Sequence, residues 1–327
     1  MLRVLLIGII GAFLAWGSYW AFGSRALERS VGDWIAATPE ATAEAVEVRG
    51  FPNRFDLTLT APAYDSPALG WSAPFAQVFA LSYKPHHMIA VFPHDQSLRI
   101  NGADWAISSA DMRASVVTKV SSQMAGQPEL NRATLVIDAL RARGITGEAL
   151  QAETVRIASR KLDDDPLAHD LGVEVLGLRL PPEVRALADP VGALPAEVAR
   201  LHLDAVIRFD RPLDAAGASS ARVRGLEVRA GRAEWGDVTL DAEGALEVDA
   251  AGLISGEMAV TVTEWQLLME GARAAGVWDA GADPLISGLL SGLAREDGDE
   301  TTITLPLAAE RGTVYLGPFP LGALPTL

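Results

Sequence analysis

Metal-donor side chains are densest in "KPHHMIAVFPHD", where His86, His87, His94 and Asp95 carry the nitrogen and oxygen ligands that zinc or copper takes. A metal centre needs three or four of them converging on one point. Successive strand residues face opposite ways, so His86 and His87 reach a shared ion only from a loop, which Pro85 and Pro93 permit. Solvated turn histidines are the simpler expectation, and no metal site is assigned. His169 and His202 stand alone, His202 on what should be the wet face of a strand between Leu201 and Leu203. Serine chemistry fares no better, because an activated hydroxyl needs a neighbouring base and no Gly-x-Ser-x-Gly elbow occurs. "SGLLSGL" reads instead as the small-residue face of an amphipathic helix carrying Leu285, Leu289 and Leu293. Phosphate-cradling glycine loops are missing, and the three aspartates at 163–165 lack the ligand spacing of a calcium loop. No catalytic residue, cofactor or enzyme activity is therefore expected.

Bulk chemistry narrows the partners. With 42 Asp and Glu against 27 Lys and Arg, the net charge of −15 repels polyphosphate backbones, so nucleic acid is not an expected partner. The chain has no cysteine, which removes disulfides, thiolate metal sites and a cysteine nucleophile together. Hydrophobic residues make up 49% of it and charged ones 21%, enough apolar material for a folded core.

The elements that would position any site begin with an apolar run from Val4 to Gly23 between Arg3 and Arg25, about the twenty residues of helix that a bilayer core requires. Trp16, Tyr19 and Trp20, with Phe22, gather at its far end as membrane-interface anchors would. A cleaved signal peptide competes, since Ala21 and Gly23 are small residues of the kind that precede a cut. The run is long for a signal, so residues 1–25 are expected to form an uncleaved transmembrane anchor. Arg3 favours an inner-membrane, single-pass topology with the body in the periplasm, although Arg25 and Arg29 weaken the charge asymmetry.

Residues 26–45 form a juxtamembrane helix and linker, with Leu27, Val31, Trp34 and Ile35 on one face and a stop before Pro39. Residues 46–327 form a β-rich domain, with two lobes dividing near 181–197 as an option. "VEVRGFPNRFDLTLTAP" reads as a strand broken by a structural corner at Gly50, Phe51 and Pro52. Phe55, Leu57 and Leu59 alternate with polar residues, and in "PFAQVFALSY" Phe75, Phe79 and Leu81 share a side with Gln77 in the same two-residue rhythm. These six are the candidate lining for an apolar ligand. Glycines at 225, 231, 236, 244 and 252 punctuate short strands, which predicts an antiparallel meander. Short helices are expected at Pro182–Ala188, Glu264–Ala275 and Pro284–Ala294, followed by the loop "REDGDET" and two final strands. A faint repeat aligns "LRINGADWAISSADMRASV" with "VRAGRAEWGDVTLDAEGAL". The fold class is mainly β, or β-rich α+β: a transmembrane helix, then curved antiparallel sheets as groove, sandwich or flattened barrel.

The Gly-Phe-Pro corner with its "RFDLTLT" strand, "WSAPFAQVFALSYKPHHMIAVFP", "LEVRAGRAEWGDVTLDAEGALEVD" and "GTVYLGPFPLG" together resemble an alphaproteobacterial membrane-anchored family of unknown function. More distantly the chain is similar to AsmA-like envelope proteins. That resemblance implies a curved sheet whose dry inside holds lipid chains, with membrane lipid as partner and a role in envelope homeostasis. The alternative is an envelope scaffold or assembly factor with a filled core, acting through other envelope proteins.

Overall fold

A computed structural model describes residues 2–120, 128–144, 147, 149–214, 217, 220–274, 283–297 and 301–326. Strands make up 56% of it and helices 22%, so the chain is mainly β, as its alternating patterns predict. Two compact units emerge, Met1–Lys119 with Leu135–Gly147, and Val120–Thr134 with Glu148–Leu327.

The first unit starts with α1 (Leu2–Ala37), one unbroken helix whose end at Ala37 falls two residues before Pro39. Eleven strands involve this unit: β1 (Ala41–Thr42), β2 (Ala45–Arg49), β3 (Arg54–Thr60), β4 (Ala63–Asp65), β5 (Leu69–Ser72), β6 (Phe75–Leu81), β7 (Lys84–Val91), β8 (Asp95–Ile100), β9 (Ala103–Ser108), β10 (Asp111–Val120) and β11 (Pro128–Gly144). They pair antiparallel in two series, β1-β4-β5-β8-β9-β11 and β2-β3-β6-β7-β10. In chain order β1 to β10 make five long strands of one meander, each interrupted once, and β11 is unbroken. The interruptions fall at Ala43-Glu44, Ala61-Pro62, Ala73-Pro74, Phe92-Pro93-His94 and Ser109-Ala110. Backbone bonds line them up across the sheet: Ala61 N–H donates to Pro74 O at 2.9 Å and Ser109 N–H to His94 O at 2.9 Å. A proline has no N–H to continue a ladder, and alanine leaves room for neighbouring backbones, so the meander is creased along this line.

Gly50-Phe51-Pro52 proves to be a hairpin turn, since Val48 of β2 pairs with Leu57 of β3. Gly50 has φ +102, and a Cβ there would sit 2.9 Å from the Arg54 carbonyl oxygen, so the turn needs glycine. The Phe51-Pro52 bond is cis.

The second unit is a meander in which each strand pairs with the next: β12 (Ala149–Lys161), β13 (Ala168–Leu178), β14 (Val198–Phe209), β15 (Val223–Trp235), β16 (Val238–Val248), β17 (Ile254–Thr263), β18 (Thr302–Glu310), β19 (Thr313–Leu316) and β20 (Phe319–Ala323). The sheet does not close, which removes the flattened barrel from the expected architectures. Among the described residues three helices interrupt it, α2 (Pro182–Ala188), α3 (Trp265–Ala274) and α4 (Asp283–Asp297). The bounds of α2 are those the sequence predicts. Ala275 and residues 298–300 of the expected loop lie outside the described residues.

Residues 181–197 are an insertion between the paired strands β13 and β14, and the boundary between units falls at 119–148 instead. Asp189 holds the insertion by accepting the Ala193 and Leu194 N–H groups at 2.9 and 3.0 Å. The faint repeat does not survive in three dimensions, because Asn101-Gly102 is a hairpin turn while its counterpart, Gly231-Arg232, lies inside β15.

Candidate functional site

Ladder partners share a face of a sheet, so register decides which of the six candidate lining residues can meet. Leu57 of β3 pairs with Val78 of β6, whereas Phe79 pairs with Asp56. Phe55, Leu57 and Leu59 therefore lie on one face, and Phe75, Phe79 and Leu81 on the other. No single groove is lined by all six. The first three are covered: Phe55 and Leu57 are buried, packed with Leu59 against Trp20, Leu27 and Val31 of α1. Phe75 and Leu81 are exposed, and the Arg54 guanidinium stands 5.9 Å from the Phe79 ring centre.

Helix α1 docks through the aromatic residues near its middle. Trp16 Nε1 donates to Pro52 O at 2.9 Å, Trp20 Nε1 to Arg54 O at 2.7 Å, and the Tyr19 hydroxyl to Ser82 O at 2.7 Å. Farther along, Glu28 accepts the Val48 N–H at 2.8 Å. Gly23 gives the closest approach, since a Cβ there would lie 2.9 Å from the tip of Phe55.

The histidine-rich segment is the strand β7, which places His86 and His87 on opposite faces. His87 Nε2 is 3.1 Å from Ser115 Oγ, and His94 Nδ1 donates to Ser109 O at 2.9 Å on the crease. Among the described residues no three His, Asp or Glu side chains converge as a metal site would require. The acidic turn is tied off by Asp165, which accepts the Leu167 N–H and pairs with Arg208, and these hold its carboxyl below the usual carboxylate range. On α4, Leu290, Leu293 and Ala294 pack inward while Leu285 and Leu289 are exposed, so the inward face is displaced from the expected Leu285-Leu289-Leu293 stripe.

A chemically coherent surface lies in the second unit. Following register across β12 to β15, Val155 pairs with Val175, Val175 with Leu201, and Leu201 with Ala233; one step on, Ile157, Val173 and Leu203 follow one another. This face continues through Leu240, Val262 and Ile303. There it is sealed by α3 and α4, where Trp265, Met269, Leu268, Leu290 and Leu293 pack on the strands. Toward β12–β14 the same face is neither sealed nor open: Val155, Ile157, Val173, Val175, Leu201 and Leu203 are all half-buried.

Its reverse is a charged face. Asp170 accepts Arg160 at 2.6 Å and Arg229 at 3.0 Å, Glu174 accepts Arg200 at 2.9 Å, and Asp241 accepts Arg232 at 2.9 Å. The Arg160 hydrogen bond holds the Asp170 carboxyl below its ordinary range. His202 is on this face, between Glu174 and Arg232 in the ladder. A hollow of about 1010 Å³ lies over β15–β18, edged by Glu227, Glu243 and Glu257 above Ala245, Ala259 and Pro306. Its lining brings together carboxylates, the Arg229 guanidinium and small apolar groups.

One end of the apolar face carries polar groups that sequence reading missed. His169 is 1% exposed, with Nδ1 3.2 Å from Ser159 Oγ, its ring edge-on to Phe209, and, among the described residues, no hydrogen-bond partner for Nε2. Its ladder partner Lys161 donates to Glu129, itself 4% exposed, at 2.6 Å. Burial first, then the Lys161 charge, lowers the His169 pKa below its ordinary 6.5. The only signal in the sequence was a histidine at an apolar phase of an alternating strand.

Residues 20–325 match the family described as "Uncharacterized protein conserved in bacteria (DUF2125)". No curated protein and no solved structure matches the chain.

Proposed function

The chain belongs to that bacterial family, and we propose that it is a membrane-anchored, non-enzymatic protein whose second unit holds the acyl chains of membrane lipids against an apolar sheet face. The observation that carries this reading is the half-buried run from Val155 to Leu203, apolar on every strand from β12 to β14 and backed by ion pairs on its reverse. Such a face offers roughly 25 cal/mol for each Å² of apolar surface an acyl chain removes from water. The apolar helix α1, long enough to cross a bilayer, would tether the chain to a lipid source. The distant resemblance to AsmA-like envelope proteins and the Arg3 charge favour an inner-membrane anchor with the body in the periplasm. Its role is then in envelope lipid homeostasis.

The test uses the full chain, because Trp20, Leu27 and Val31 of α1 belong to the first unit's core. Native mass spectrometry after mild detergent extraction should find phospholipid-mass adducts, lost in Val173→Glu and Leu203→Glu. Adducts that persist unchanged in both correctly folded variants would overturn the reading.

A second reading, an envelope scaffold, draws on β20. All five of its residues are exposed, including Phe319 and Leu321, and among the described residues it pairs only with β19. An unpaired edge offers backbone groups to a partner's strand, although Pro320 removes one donor. Crosslinking from Leu321 in cells should then trap a defined protein.

A further inference from the structure

Two hairpin tips of the first unit lie beside the middle of α1, within the distance that a membrane span must cover. Phe51, in the β2–β3 turn, meets Phe13 edge-on with ring centres 6.3 Å apart, and Pro52 is bonded to Trp16. Ser82, in the β6–β7 turn, is bonded to Tyr19 through its carbonyl, and its N–H donates to Asn53 O at 2.9 Å, which joins the two tips. At 1.5 Å of rise per residue, Phe13 and Trp16 stand roughly 15–20 Å along the helix from Arg3. A hydrocarbon core of about 30 Å takes about twenty residues of helix, so the tips reach the membrane before a full straight span is complete.

The tips are built for such a place. Phe51 is 48% exposed and Tyr83 59%, with Leu81 exposed beside them. Their carbonyls, which would be costly to leave bare away from water, accept the Trp16, Tyr19 and Trp20 donors. Arg49, Arg54 and Lys84 stand at the strand ends next to the tips, with the Arg49 side chain 81% exposed. Aromatic residues backed by basic ones are the chemistry of the headgroup zone.

We propose that the β2–β3 and β6–β7 tips are embedded in the interfacial zone of the bilayer that α1 enters, Phe51 and Tyr83 below the headgroups and the three basic residues at phosphate level. The surface rests on α1 being a membrane helix and is independent of the acyl-chain face. It shortens the span and fixes the first unit against the membrane.

The chain has no cysteine, so single-cysteine variants of the full chain carry an environment-sensitive nitrobenzoxadiazole label at one chosen site. The positions are Phe51→Cys, Tyr83→Cys, Lys84→Cys, which leaves both aromatic tips intact, Ala68→Cys at the opposite end of the strands, and Ile7→Cys in α1. In nanodiscs of phosphatidylcholine and phosphatidylglycerol, lipid bearing a nitroxide near the headgroup should remove about half the emission at 51, 83 and 84 and little at 68, with Ile7 quenched by a deeper nitroxide. Labels at 51, 83 and 84 quenched no more than at 68, with Ile7 still quenched, would overturn the surface and leave the anchor standing. An unquenched Ile7 would overturn both.

Discussion

At the residue scale the chemistry sits where spacing along the chain gave no hint of it. His86, His87 and His94 cluster in sequence, yet β7 separates the first two and the crease holds the third. His169, isolated in sequence, shares a buried polar cluster with Ser159, Lys161 and Glu129, assembled only by the β12–β13 register and the start of β11. Register is set by turns and by packing across strands, not by any one residue, so this cluster was illegible. Because burial lowers the His169 pKa, the unfolded chain binds its proton at higher pH than the folded one. The stabilising contribution is whole above about pH 6.5 and drains as pH falls below it toward the folded-state value. Asp170, also lowered, drains only in the acidic range below its ordinary 3.8, so the two windows separate. Urea midpoints of the second unit should fall between pH 7.5 and pH 5, and the fall should shrink in His169→Phe. A profile unchanged by that substitution would remove His169 as the cause.

At the scale of elements, alternation found the strands but not their phase. In β6 the large residues Phe75, Phe79 and Leu81 occupy one face, while Ala76, Val78 and Ala80 occupy the other. Either phase satisfies an alternating pattern. The smaller set faces the same way as Leu57 and Leu59, the face on which α1 packs, and the larger set faces away. The corner at Gly50-Phe51-Pro52 was legible as a turn because glycine and proline constrain the backbone directly, and α1 was legible to its last residue because Pro39 follows. The close approach of α1 to the sheet was not, since Gly23 looks like any glycine of an apolar segment. Gly23→Val should force Phe55 and the helix apart at a cost of about 1–3 kcal/mol. It should appear as an earlier urea transition of the first unit and faster proteolysis near Thr38–Glu40, while Gly8→Val, with nothing within 4 Å of its Cβ position, leaves both unchanged.

For the whole molecule, composition and the N-terminal run made the class legible: among the described residues, one helix apolar and long enough for a membrane, followed by mainly antiparallel strands. The division into units was not, because β11 is one unbroken strand that supplies residues to both, and nothing in its composition marks the boundary. The apolar face of the second unit was legible only as alternation in "LQAETVRIASRK" and "ARLHLDAVIRF", while the candidate lining was sought in β3 and β6, and the extent of the face emerged only when the ladders were read across. The functional reading stands or falls on that face. A benzophenone amino acid placed at Val173 or Leu203 in the full chain, irradiated in native membranes and followed by mass spectrometry, should yield adducts of phospholipid mass. The same probe at Ala158, exposed on the charged reverse, should yield none. Lipid adducts absent at both Val173 and Leu203, or equally abundant at Ala158, would contradict acyl-chain binding by this face.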